Sequence, residues 1–121
     1  MTDLSDTEAI YHILPSSDWE DAQKTGLYKP KSLGKKEFIH FSVFDQVIPT
    51  AVRYYQGIPD LLLLRVDPKR LIAELRYDQV EGLGIFPHLY GPLNLDAVNR
   101  VHRLVQGKDN ISSWSIIETE D

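Results

Sequence analysis

Three of the four histidines in this 121-residue chain share one kind of setting. His12 lies in Tyr11-His12-Ile13, His40 in Ile39-His40-Phe41 and His88 in Pro87-His88-Leu89, each inside a short run with strand character. Neighbours along a strand point to opposite faces, so each imidazole is directed away from the bulky residues beside it. If those neighbours mark the core, the imidazoles belong to the other face or to a cleft. An ordinary pKa of roughly 6.5 lets histidine give or take a proton near neutrality, which suits acid, base and ligand roles without selecting one. Ser42, two residues past His40 on the same strand face, adds a hydroxyl. The plain reading of any one of them is a half-buried imidazole bonded to backbone; the conjunction of three favours a site. His102 has no such company and is assigned to structure.

Catalytic zinc can be held by three imidazoles with a fourth position open. The chain offers neither HxxxH nor HExxH spacing, and no metal is expected. No GxSxG elbow, GxGxxG loop or GxxxxGK[ST] loop occurs, and Gly82-Leu83-Gly84 is too short to cradle a phosphate. Trp19, Tyr54, Tyr55, Tyr77, Phe86 and Tyr90 can stack on a nucleobase, although aromatics usually sit in the core; Tyr90 is the leading candidate for cofactor contact.

The pattern around these residues defines the elements that carry them. Ala9 to Leu14 reads as a first strand. Ser17 and Glu20 form a capping box for a helix through Trp19, Ala22 and Thr25 that Gly26 stops. Leu27 to Lys36 is read as irregular after a brief strand, and Glu37 to Phe41 as the next strand. Asp45 is placed as the cap of a second helix, with Val47, Ile48, Ala51, Val52 and Tyr55 on one apolar face, Pro49 in its first turns and Gly57 at its end. Asp60 to Val66 is apolar throughout and too short for a typical helix, which predicts a central strand buried on both faces. Ile72 to Tyr77 alternates as a half-buried strand does.

Pro87 lacks a ladder donor, so Ile85 to Tyr90 is expected at a sheet edge, at a bulge or at the start of its strand. Leu95 to Val105 is open between a helical turn leading into a strand near Arg100 to Val105 and one continuous helix. Trp114, Ile116 and Ile117 give a final edge strand, and the two ends, 1–8 and 118–121, are expected to fray. The whole is a single α+β domain over residues 1–121, with a mostly antiparallel sheet and two or three short helices.

The totals narrow the function classes. The composition, 42% hydrophobic and 26% charged, is that of a globular domain, and the absence of cysteine removes disulfides, thiolate metal sites and cysteine nucleophiles. A net charge of −5 argues against long nucleic acid, which demands a dense basic footprint. The acidic stretch Met1 to Glu8 does not read as a secretory signal, and the longest apolar run, Leu61 to Leu64, is far short of a membrane span. A cytoplasmic protein is expected. Lys24, Lys29, Lys31, Lys35 and Lys36 crowd one stretch, read as a solvated loop in preference to a phosphate-facing one.

With the segments in place, the chain resembles the family known as domain of unknown function 952. The resemblance is carried by IYHI (Ile10 to Ile13), FIHFS (Phe38 to Ser42), Gln46 with its helix, DLLLLRVD (Asp60 to Asp67) and, most distinctively, FPHLYGPL (Phe86 to Leu93), and it spans about residues 10–105. That family looks like a member of the ADP-ribosyltransferase fold group, which implies a split, strongly bent sheet and an NAD-binding cleft between its halves. On that pattern His12 would take the first-strand position, His40 followed by Ser42 the second, and His88 would approximate the third, where the transferases commonly carry a glutamate. An imidazole there supplies no fixed negative charge for an oxocarbenium-like centre. Asp78 or Glu81 could substitute, although both read more simply as exposed loop acids.

Two classes of function follow. One is an enzyme in which NAD or a related nucleotide fills the cleft for glycosyl or phosphoryl transfer, His12 binds ribose hydroxyls, His40 and Ser42 orient the substrate and His88 acts as acid, base or ligand. The other is a non-catalytic module binding a small anionic metabolite or a partner peptide.

Overall fold

The computed structural model describes residues 9–30, 37–107 and 113–118. The chain runs β1 (Ile10–Pro15), α1 (Ser16–Thr25), β2 (Leu27–Tyr28), β3 (Ile39–His40), α2 (Phe44–Tyr54), β4 (Leu61–Val66), β5 (Glu74–Val80), β6 (Gly84–Tyr90), β7 (Leu93–Asn94), β8 (Val98–Gln106) and β9 (Trp114–Glu118), with 3-10 turns at Pro68–Arg70 and Leu95–Ala97. The α+β class stands. Among the described residues, pairing is antiparallel throughout and gives three sheets, the four-stranded β1-β4-β8-β9, the three-stranded β3-β6-β5 and the pair β2-β7. A bridge between Tyr11 and Ser42, with both backbone hydrogen bonds at 2.8 Å, ties the first two together. Among the described residues no helix is long and apolar enough to cross a membrane.

The apolar run of β4 has the position its pattern demands, paired to β1 on one side and to β8 on the other. Alternation along β1 and β4 feeds two cores. Ile10, Leu14, Leu64 and Val66 point to one with Ala22 of α1, Phe41 and Leu89, while Tyr11, Ile13, Leu61 and Leu63 point to the other, under Val47 and Ala51 of α2. Ile48, Val52 and Tyr55 pack against that second core, as their helical spacing requires. The four-stranded sheet is therefore covered on both faces, the condition under which strands lose the apolar and polar alternation of a half-exposed sheet.

Several local expectations need correction. Helix α1 starts at Ser16 behind Pro15 and not at a Ser17 cap, and Pro15 accepts the pre-helical position because its fixed φ of −65 with ψ 148 suits an extended cap. Helix α2 is capped at Val43 and not at Asp45. Gln46 reaches back to accept from the Val43 N–H at 3.0 Å and donates to the Ile85 carbonyl at 2.7 Å, so one side chain both starts the helix and fastens it to β6. The helix ends at Tyr54, ahead of the turn that contains Gly57.

Strand β6 is not an edge strand, since it lies between β3 and β5. Its proline is tolerated because the ladder with β3 covers only Ile39↔Leu89 and His40↔His88. Pro87 gives its carbonyl to the Phe41 N–H at 2.9 Å, and the ladder stops at this pair, where the reciprocal bond would need the N–H that proline lacks. The region after Gly91 resolves as a 3-10 turn at Leu95–Ala97 followed by β8, which removes the continuous-helix alternative. Edge strand β9 forms as expected. Lys31 to Lys36 and the chain ends 1–8 and 119–121 lie outside the described residues.

Gly91 turns the chain out of β6 at φ 152, and a Cβ built there sits 2.7 Å from the Ala73 Cβ. Gly82, at the hairpin between β5 and β6, has φ 80 with nothing within 4 Å of its Cβ position. Gly91→Ala is expected to cost about 2 to 3 kcal/mol, strain plus overlap, and Gly82→Ala about 1 kcal/mol, strain alone. Urea unfolding of both variants checks this; equal costs would remove the close approach as the reason for glycine at position 91.

Candidate functional site

β1, β3 and β6 each carry one of the histidines, and the two ladders meet where the Tyr11–Ser42 bridge joins them. A cavity of about 440 Å³ opens there, bordered by His12, His40, Ser42 and His88 together with aromatic side chains from both ladders and from α2. The four candidate catalytic residues of the sequence thus come to one hollow, together with Tyr54, Tyr55 and Phe86 of the stacking candidates. Tyr90 is not among its lining residues; the Arg76 guanidinium lies 4.3 Å from its ring centroid and Phe38 packs beside it. His102 lies apart on β8, buried between β4 and β9, with burial pushing its pKa down.

His12 is buried among backbone and aromatic neighbours. Its Nδ1–H donates to the His40 carbonyl at 2.7 Å, and its Nε2 accepts from the Tyr28 hydroxyl at 3.1 Å. The carbonyl partner fixes the tautomer. Burial drives its pKa down from 6.5 to about 4, only partly opposed by the bond to the His40 carbonyl, so the ring is neutral at physiological pH. Burial also raises the Tyr28 pKa, which keeps its hydroxyl protonated and able to donate.

His40 and His88 form a second arrangement of a different kind. They are direct partners in the ladder, with His40 Nδ1 3.1 Å from His88 Nε2. On its other side the His88 Nδ1–H donates to Asp78 Oδ2 at 2.9 Å, and the Tyr90 hydroxyl donates to the same oxygen. These bonds, Tyr90 first and His88 second, hold the Asp78 carboxyl below its usual pKa, and the same carboxylate raises that of Tyr90. Phe38 stacks on the His88 ring at 4.0 Å with an interplanar angle of 14°. With Asp78 ionised, the neutral His88 ring carries its proton on Nδ1 and receives the His40 Nδ1–H at Nε2. The Asp78 carboxylate thereby fixes the orientation of the His88 ring, as the acid of a catalytic triad orients its imidazole.

Asp78 corrects the sequence reading, which favoured an exposed loop acid. It lies on β5 with its side chain 33% exposed. A hairpin turning at Gly82 sets Asp78 opposite Phe86 and Arg76 opposite His88, so Asp78 and His88 are diagonal neighbours on one face. Glu81 remains in the exposed turn. Phe38 was legible from alternation, since it shares a face with His40 and Ser42. Thr50, whose hydroxyl is 3.3 Å from that of Ser42, breaks the apolar face of α2 and gave a weak signal; Tyr28 gave none. Among the described residues no group of three or more ligating side chains is arranged to hold a metal ion. Both ring nitrogens of His12 and of His88 already face other partners.

A neutral buried His12 makes stability depend on acid. The unfolded chain binds a proton near pH 6.5 and the folded protein resists until about 4, so stability is full above that window and falls as pH drops through it. The gap is worth about 3 kcal/mol in full and about 2 kcal/mol between pH 7 and 5. Urea midpoints of the native chain are expected to fall over that range, and those of His12→Gln to fall distinctly less. Parallel pH profiles for the two proteins would refute the neutral buried assignment.

With the geometry in hand, comparison with known proteins gives a consistent picture. The profile of the family described as "Protein of unknown function (DUF952)" matches residues 13–101. The crystal structure of protein CC0527 from Caulobacter crescentus is similar at 32% identity and a TM-score of 0.77, covering 84% of this chain and 90% of that one. The solution NMR structure of CC0527 is similar at 32% identity and a TM-score of 0.73, covering 84% and 89%. No curated protein matches. The family match over residues 13–101, with a solved structure 32% identical over 84% of the chain, makes this chain a member of the DUF952 family.

Proposed function

We propose that the cavity binds NAD or a related nucleotide and that His40 and His88, backed by Asp78, form an acid–base unit for glycosyl or phosphoryl transfer within an ADP-ribosyltransferase-like fold. The single observation that carries this reading is the hydrogen-bonded chain from Asp78 through His88 to His40 at the cavity wall. A histidine pair with an orienting carboxylate, at a hollow lined with aromatic rings, is an arrangement suited to acid–base chemistry on a bound small molecule. The fold grouping is supported by two antiparallel ladders that flank the cavity and touch at one bridge.

In this reading Phe38 and Phe86 provide planes for a nucleobase, and Ser42 with Thr50 offers hydroxyls to the substrate. His12, whose ring nitrogens are both committed, positions the His40 backbone and does not take the proton. The negative charge that a transferase glutamate would present at the reacting centre stands one hydrogen bond further back, on Asp78. This favours activating a nucleophile by proton removal over direct support of a cationic centre.

Isotope-labelled protein titrated with NAD, ADP-ribose and mononucleotides, followed by overnight incubation and product analysis, tests the proposal. Imidazole signals of His40 and His88 are expected to shift together, and His40→Gln and His88→Gln to lower turnover by roughly 10²- to 10⁴-fold. Binding with no product, unaffected by either substitution, would support a non-catalytic module for a small anionic metabolite. No shift with any probe would overturn the nucleotide reading.

A further inference from the structure

The charge around the cavity narrows what can enter it. No aspartate or glutamate is among the described lining residues, and Arg53 is their one lysine or arginine. Of the histidines in the wall, His12 adds no charge, because burial holds its ring neutral. This is the reverse of the chain as a whole, which carries a net charge of −5. Arg53 stands in the last turn of α2, exposed, with its guanidinium 5.9 Å from the Tyr54 ring centroid, and it forms no ion pair among the described residues.

A basic residue in a last helical turn is ordinarily explained by the helix dipole. That role asks only for positive charge near the terminal carbonyls and does not require a place on a cavity wall. A guanidinium above low-dielectric aromatic walls, with no carboxylate to neutralise it, focuses a positive potential into the hollow. Its planar fork matches a phosphate through two parallel hydrogen bonds, which an ammonium cannot reproduce. A volume of about 440 Å³ lies in the range that takes one small molecule.

We propose that Arg53 is the specificity-determining residue of the cavity, selecting ligands that combine a flat ring, seated among the aromatic walls, with a phosphate at the mouth. This rests on the nucleotide reading above and sharpens it, since it names the group that is recognised and the residue that recognises it. Being exposed and outside both cores, Arg53 can be changed without loss of the fold.

Calorimetry with adenosine, adenosine monophosphate and NAD on the native chain, Arg53→Gln and Arg53→Lys tests it. In the native chain the two phosphate-bearing probes are expected to bind at least about tenfold more tightly than adenosine. Arg53→Gln should erase that advantage while leaving adenosine affinity within about twofold, and Arg53→Lys, which keeps the charge at the helix end, should recover part of it. Equal native affinity for adenosine and its monophosphate, or a phosphate advantage that survives in Arg53→Gln, would overturn the role of Arg53 and leave the nucleotide reading standing. Failure of all three probes to bind would overturn both.

Discussion

The neutral, buried imidazole of His12 joins parts of the fold that have no common ladder. It belongs to β1 of the four-stranded sheet, donates to a carbonyl of β3 in the three-stranded sheet and accepts from a tyrosine of the β2-β7 pair. Few other side chains can do this. An imidazole presents a donor and an acceptor on opposite sides of a rigid ring, and in the neutral state it does so without the cost of burying charge. The bond lengths and the depressed pKa describe one condition, since the arrangement exists only while the ring is uncharged.

That constraint sets the position of the chemistry. The carbonyl that His12 holds belongs to His40, so the residue at the centre of the candidate site is fixed from behind by its backbone and from the side by its ladder pairing with His88. Gln46 fixes the far wall by tying the start of α2 to β6, the strand that carries His88. The cavity is thus bordered by elements fastened to one another through polar bonds, with Tyr11 and Ile13 of the second core at its edge and neither His40 nor His88 in either core. This division suits a site, because the groups that must exchange protons are not the groups whose burial holds the domain together.

The histidines themselves play two unlike parts. His12 is desolvated and neutral and bonded on both sides by groups that do not titrate near neutrality. His88 faces a carboxylate on one side and another imidazole on the other. Identical residue types in similar sequence surroundings are separated by what lies across the strand: a carbonyl and a phenol in one case, a carboxylate in the other. Phe38 and Tyr90 belong to the second setting, one stacked on the imidazole and the other sharing the Asp78 oxygen, and together they hold ring and acid in place.

Local pattern was enough for the α+β class, the central place of the Leu61–Val66 strand, the apolar face of α2 and the three strand histidines, because periodicity and burial are written residue by residue. It also carried the DUF952 resemblance through IYHI, FIHFS and FPHLYG. It failed at the helix starts, where Pro15 and Gln46 acted in place of the expected caps, and at Pro87, whose missing donor matters only if its neighbour strand continues. Tyr28, Asp78 and Arg53 entered the site through the third dimension. Hairpin register brought Asp78 diagonally to His88, the β2-β7 pair delivered Tyr28 to His12, and the seating of α2 turned Arg53 to the cavity. Sequence alone determined which residues were able to do chemistry; the folded structure decided which of them face one another, because hydrogen bonds and charge act over a few ångströms between segments that the chain order keeps far apart.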